Sequence, residues 1–160
     1  MDIVYIETSI ISHATARLSS DLAIATMQVQ AQRWMAEQRS KYTVVTSQLV
    51  LTEAARGDPD AAIRRLAMLA DIPMLGENPA VDRVADELIA HALIPATARV
   101  DALHLAIAAL AGVQYLLTLN CRHIANASVL PGVYRTLSEL GLSGLLVCTP
   151  MEFLGGSTDG

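Results

Sequence analysis

Asp101 heads a stretch, Ala102 to Val113, with no other carboxylate and no Lys or Arg, and His104 follows it three residues later, on the same face of a helix. A helix that is apolar on nearly every side is buried. A carboxylate carried into it costs several kcal/mol, or titrates to neutrality, unless a cation or several donors meet it. Three other oxygen-bearing side chains lie where they could join Asp101. Glu7 ends the apolar run Ile3 to Ile6, Glu53 lies about a turn and a half into a helical segment opened by Ser47, and Asn120 follows the run Tyr115 to Leu119. Carboxylates and amide oxygens are hard ligands suited to Mg²⁺ or Mn²⁺, and a bound divalent ion would supply the partner Asp101 needs. Each residue also has a plainer reading: Glu7 as a strand-end charge, Glu53 as a solvated helix residue, Asn120 as a turn residue.

The elements that would position them follow from the hydrophobic pattern. Ile3 to Ile6 is short and continuously apolar, as in a strand covered on both faces. Thr8 and Ser9 are helix-start residues, and a longer helix is predicted over Asp21 to Arg39. Lys41 to Thr46 is β-branched and predicts a second strand; Ser47 then caps a helix carrying Glu53. Pro59 suits the first turn of a helix over Asp60 to Ala70, and Ile72 to Leu75 reads as a brief extended piece. From Asn78-Pro79 onward, Val81, Val84, Ala85, Leu88 and Ala92 recur at helical spacing opposite Asp82, Arg83, Asp86 and Glu87. Pro95 ends that helix, Thr97 is the expected cap of the Asp101 helix, and Gly112 closes it. Tyr115 to Leu119 predicts a third strand, a short helix is expected near Leu137, and Leu145 to Cys148 predicts a last strand. This alternation implies an α/β fold, a three-layer α/β/α sandwich with a mainly parallel central sheet, whose ligands bind outside the carboxyl ends of the strands. A single domain is expected over residues 1–154, with 155–160, rich in Gly and Ser, as a flexible tail.

The composition bounds the function. With 160 residues, 52% of them hydrophobic and 17% charged, the chain can bury a substantial core and leaves little room for disorder. A formal net charge of −5 argues against indiscriminate coating of nucleic acid, although metal ions and local arginines can still hold a phosphate backbone. Ten of the eleven basic side chains are Arg, which favours bidentate contacts to carboxylate or phosphate. Cys121 and Cys148 are too few and too far apart for a disulfide framework or zinc knuckle, the amino terminus lacks a signal-peptide pattern, and the longest apolar span is interrupted at Asp101, His104, Gly112 and Gln114. A cytoplasmic protein with no membrane partner is the expectation. Neither a Walker-type nor a dinucleotide glycine pattern is present, nor is an Asp-x-Asp motif after the first strand.

Four blocks taken together resemble a known family. Ile6-Glu7-Thr8-Ser9-Ile10-Ile11, Ser47-Gln48-Leu49-Val50-Leu51-Thr52-Glu53, Asp101-Ala102-Leu103-His104-Leu105-Ala106 and Leu116-Leu117-Thr118-Leu119-Asn120-Cys121-Arg122-His123 are similar, in order and across the domain, to the blocks of PIN-domain proteins, especially VapC-like toxins. The resemblance implies a metal-dependent endoribonuclease of toxin-antitoxin type, with Glu7, Glu53, Asp101 and Asn120 as the catalytic and metal-binding set and Mg²⁺ or Mn²⁺ as cofactor. It also implies RNA as substrate and a small cognate antitoxin; the high apolarity is compatible with a homodimer. Thr8 and Ser9 are candidate hydroxyl donors near the metal, with helix capping as the competing role. Arg122 and His123 are candidate phosphate contacts. His104 either positions substrate or is a buried, satisfied histidine, and the second reading is preferred. Two positions depart from the family, which usually has Asp where Glu7 and Asn120 stand. Three carboxylates in place of four weaken a second metal more than a first, and this opens an alternative: a catalytically weak or inactive module that binds RNA or protein.

Overall fold

In the computed structural model, which describes residues 1–154, the four apolar runs form one sheet in the order β2-β1-β3-β4, parallel throughout. β1 is Ile3–Ile6, β2 Thr43–Val45, β3 Tyr115–Leu117 and β4 Leu146–Cys148. Strands this short persist because the sheet is covered on both faces: Val4, Tyr5, Ile6, Leu116 and Leu117 are completely buried. One helical group comprises α1 (Thr8–Thr15), α2 (Leu22–Arg33), α3 (Gln48–Ala54), α4 (Pro59–Leu69) and α8 (Pro150–Leu154). The other comprises α5 (Val81–His91), α6 (Arg99–Leu110) and α7 (Leu130–Glu139). The expected three-layer α/β/α architecture is thus present. The tail expected at 155–160 lies outside the described residues. No helix among the described residues is long and apolar enough to cross a membrane.

Local chemistry explains most element starts. Asp21, Ser47 and Asp58 each accept a backbone N–H of the first turn that follows them. Three expectations need correction. The helix predicted over Asp21 to Arg39 ends at Arg33; a wide π-turn covers Trp34–Gln38 and a 3₁₀ turn covers Arg39–Lys41. Trp34 and Gln38, at the two ends of the π-turn, are both buried, so tertiary packing outweighs the regular period. Thr97 does not cap α6: residues Ala96–Ala98 form a 3₁₀ turn after Pro95, and Ala98 occupies the cap without a side-chain bond. Asp101 thereby becomes the third helical residue, inside the first turn, where a negative charge opposes the exposed N–H dipoles favourably. The helix near Leu137 is ten residues long and opens with Pro131 in its first turn. α8 was not foreseen, although Thr149-Pro150-Met151-Glu152 carries its signature: Glu152 accepts from both the N–H and the hydroxyl of Thr149 at 3.3 Å.

Candidate functional site

Strand order creates the crevice. β1 pairs with β2 on one side and with β3 on the other, so the segments leaving β1 and β3 diverge at the carboxyl edge of the sheet, the position where open parallel sheets bind ligands. Glu7 leaves β1 and caps α1, its carboxylate accepting the backbone N–H of Ser9 at 2.7 Å. The same oxygen, Oε2, also accepts the hydroxyls of Ser9 at 2.5 Å and Thr118 at 3.1 Å. Those hydroxyls in turn accept the N–H groups of Leu119 and Asn120, at 2.8 and 2.9 Å, so the Glu7 carboxylate is tied to the segment that follows β3. Oε1 of Glu7 accepts no hydrogen bond among the described residues. Ser9 and Thr8 therefore act as donors to the acidic cluster, and Ser9 does so while it occupies the start of the helix.

A buried chain of polar groups runs under the crevice. Thr8 donates to Glu53 Oε1 at 2.7 Å, and His104 Nε2 lies 2.6 Å from the same oxygen. His104 Nδ1 meets the Tyr5 hydroxyl at 2.8 Å, and that hydroxyl meets Ser47 Oγ at 2.8 Å. Two directions are open to this chain: with a neutral imidazole Ser47 donates to Tyr5, Tyr5 to His104 Nδ1 and His104 Nε2–H to Glu53, and with a charged one Nδ1–H donates to Tyr5 and Tyr5 to Ser47. His104 is completely buried and hydrogen-bonded at both ring nitrogens, as its preferred reading expects, and one of its partners, Glu53, is a candidate ligand.

Asp101 finds its partners in the segment after β3. Its Oδ2 lies 3.0 Å from His123 Nδ1, and its Oδ1 accepts Asn120 Nδ2 at 3.0 Å. The amide oxygen of Asn120 accepts the backbone N–H of His123 at 3.1 Å. A carboxylate on one side and an N–H on the other allow only this orientation of the amide. Asn120 therefore faces Asp101 as a donor, and its oxygen, the atom expected to coordinate, is engaged with the backbone. His123 joins the cluster through its ring. Arg122 is exposed, and its side chain makes no hydrogen bond or ion pair among the described residues.

Electrostatics ties the three carboxylates together. Burial pushes the Glu7 carboxyl above the ordinary carboxylate range; the charge of His104 and the bonds from Ser9 counter this, and the charge of Glu53 adds to it. Asp101 is also raised by burial, against the hydrogen bond and charge of His123 and the charge of His104, with Glu53 again pushing upward. Burial pushes Glu53 upward too, but hydrogen bonds from His104 and Thr8, with the charges of His104 and Arg56, outweigh it and hold the carboxyl below the usual range. Glu53 thus acts on both other acids, and none of the nearby histidines cancels the burial of Glu7 or Asp101.

The donor chemistry fits a hard divalent cation. Oε1 of Glu7 and Oε2 of Glu53 accept no hydrogen bond among the described residues, and burial holds two carboxyls above the ordinary range, which a nearby cation would offset. The side chains in their present rotamers do not close on one point, since no group of three His, Cys, Asp or Glu among the described residues is arranged to hold an ion.

All four predicted acidic or amide positions, with Thr8, Ser9, His104 and His123, lie in this connected set; Arg122 does not. Sequence reasoning gave no role to Tyr5 and Thr118, and to Ser47 only that of a helix cap. Tyr5 sits in the middle of an apolar strand, where nothing marks a polar partner. Thr118 stood two residues before Asn120 in the last motif, and that spacing was its one signal. The sequence matches no protein-family model and no curated protein.

Proposed function

We propose that the acidic cluster is the centre of a Mg²⁺- or Mn²⁺-dependent ribonuclease that hydrolyses RNA phosphodiester bonds. The observation that carries this reading is that Glu7, Glu53 and Asp101 lie together at the strand-order reversal, where burial holds the carboxyls of Glu7 and Asp101 above the ordinary range and the charge of Glu53 adds to both. Glu7 Oε1, Glu53 Oε2 and Asp101 are the groups that would hold the ion. A bound divalent cation supplies Lewis acidity toward a phosphate oxygen and lowers the pKa of a water. The chain supplies the rest. Thr8 and His104 anchor Glu53 through Oε1 and leave Oε2 directed to other use. Ser9 and Thr118 hold Glu7 through Oε2 in the same way. Asn120 Nδ2 and His123 Nδ1 orient Asp101. The test is cleavage of RNA by purified protein with Mn²⁺ or Mg²⁺, with chelator, and with Asp101→Asn. Loss of at least 100-fold in the variant is expected, on the order of removing one charged ligand. Identical RNA cleavage, or identical inertness, of wild type and Asp101→Asn with both metals would sink the reading.

The family resemblance extends the proposal to a cytoplasmic toxin restrained by a small antitoxin, and to a homodimer. Large apolar side chains left exposed, including Leu18, Leu22 and Ile63, support a protein partner. One observation favours a second reading, a module that binds RNA or protein without cutting. Every carboxylate of the cluster already has partners of its own: His123 and Asn120, His104 and Thr8, Ser9 and Thr118. Calorimetric titration with Mn²⁺ separates the two. Saturable binding that weakens in Glu7→Gln supports the enzyme, and its absence supports the module.

A further inference from the structure

A second polar feature adjoins the acidic cluster along one helix. Thr8 of α1 touches Glu53, and Ser12 and Thr15 follow on the same helical face, roughly 6 and 10 Å farther along the axis. Both line a cavity of about 390 Å³ between the end of α1 and α4, with Arg17, Arg64 and Arg65.

The arginines differ in what they do there. Arg65 is structural: Nε donates to the Ala54 carbonyl at 2.9 Å and Nη2 to the Arg56 carbonyl at 2.5 Å, securing the end of α3 one residue beyond Glu53. Arg64 gives only Nε, to the Thr15 carbonyl at 3.1 Å, and keeps both terminal nitrogens without a partner among the described residues. Arg17 donates no side-chain hydrogen bond there at all. Asp58 and Asp60 also line the cavity, yet neither pairs with an arginine. Asp58 is engaged in capping α4 through the N–H of Ala61 at 2.9 Å. A recess in an acidic protein that gathers three guanidinium groups and two hydroxyl residues, and leaves most of their donors unused, has the chemistry of an oxyanion site.

We infer that this cavity is a phosphate subsite, which holds a backbone phosphate of an RNA strand whose neighbouring linkage lies at the acidic cluster. Arg17 and Arg64 are the binding residues, and Ser12 supplies a hydroxyl donor; the hydroxyl of Thr15 is engaged, donating to the Ile11 carbonyl at 2.8 Å. The assignment rests on the reading of the cluster as a phosphodiester site. It explains how a chain of net charge −5 can engage a polyanion: attraction is local, on the flank of the carboxylates, and it leads the strand along α1 toward Glu7 and Glu53.

The test is fluorescence anisotropy with a labelled oligouridylate, in chelator so that nothing is cut, over a series of salt concentrations. Arg17→Gln, and Arg17→Gln with Arg64→Gln, are compared with wild type and with Arg83→Gln, which removes one charge, as Arg17→Gln does, at an exposed position of α5. Melting curves confirm the fold, and Arg17→Gln spares every protein hydrogen bond. The expected result is binding weakened about tenfold in the double variant, with a salt slope smaller by roughly 1, while Arg83→Gln behaves as wild type. Unchanged affinity and slope in the double variant overturn the subsite; so do an equal loss in Arg83→Gln and a wild type that binds no RNA. Cleavage is scored separately in Mn²⁺. Arginine-dependent binding without cleavage leaves the subsite standing and removes the hydrolase reading, whereas cleavage that ignores Arg17 and Arg64 does the reverse.

Discussion

Replacing Asn120 by Asp tests the geometry of the cluster most sharply. The amide Nδ2 donates to Asp101 Oδ1 at 3.0 Å; the substitution puts a carboxylate oxygen in its place. Two negative charges at that separation repel by about 5 kcal/mol at an effective dielectric constant near 20. Proton uptake sets a ceiling: keeping one carboxyl protonated at pH 7, when its ordinary pKa is near 4, costs about 4 kcal/mol. Asp101 is already raised by burial, which the charges of His123 and His104 counter without cancelling. With metal removed, the variant is therefore expected to lose about 2–4 kcal/mol at neutral pH, or roughly 5–15 °C in Tm for a chain of this size. The sign with pH follows. The pair's folded pKa lies above the unfolded value, so the folded state binds the extra proton, and the penalty grows as pH rises through that pKa and disappears below about pH 4. The assay is thermal unfolding in chelator between pH 5 and 8, repeated with Mn²⁺, which is expected to recover more stability in the variant than in wild type. A variant within about 1 kcal/mol of wild type at pH 8 without metal would refute the assigned amide orientation and the proximity it implies.

Three further outcomes are expected. Tyr5→Phe removes the hydroxyl linking Ser47 to His104 and leaves His104 Nδ1 buried without a partner, so urea unfolding should show a loss of about 1–3 kcal/mol; no loss would mean that the chain of hydrogen bonds carries no stability. Glu7→Gln removes a buried charge whose folded pKa is raised, so wild type loses stability as pH rises through that pKa and the variant does not; its Tm should exceed wild type at pH 8 and converge with it in acid, while Mn²⁺ binding is lost. Glu53 has a lowered folded pKa, and the stability it contributes is present above the ordinary carboxylate range and lost as pH falls through the folded value. Glu53→Gln should therefore be destabilising at pH 7 and less so in acid; an unchanged difference across that range would contradict the His104–Glu53 contact.

Much of the frame was legible because its signals are local. Ile3 to Ile6 is apolar without interruption, Ser47 and Pro59 announce the helices they open, and the alternation of runs implies a parallel sheet. Membership of the cluster was also legible for Glu7 and Asn120, which follow strands, and for Asp101, in the first turn of its helix; Glu53 was placed by its short helix α3, near whose end it lies. What each atom does there was not. Whether Asn120 offers oxygen or nitrogen to Asp101 depends on the backbone N–H of His123, and whether His104 serves Asp101 or Glu53 depends on Tyr5, 99 positions away. The π-turn after α2 escaped for the same reason, because it is set by packing of Trp34 against side chains that include Phe153. The cap of α6 failed because a side-chain cap is a local preference, and the 3₁₀ turn after Pro95 put Ala98 in the position that Thr97 was expected to fill.

Trp34 gives the molecule an optical property. It is the one tryptophan in the chain, completely buried, stacked on Tyr42 at 6.1 Å and met edge-on by Phe153 at 5.9 Å. Tyr42 precedes β2 and Tyr115, another member of this ring cluster, opens β3, so the fluorophore lies at the amino end of the sheet while the carboxylates lie at the carboxyl end. Its indole N–H is the one buried side-chain nitrogen or oxygen without a hydrogen-bond partner among the described residues. An indole with neither water nor acceptor emits toward the blue, and its shift to the red on solvation reports opening of the fold. Because the acidic cluster is at the other end of the strands, titrating that cluster should leave the emission maximum in place, so one spectrum separates an emptied or inhibited protein from an unfolded one.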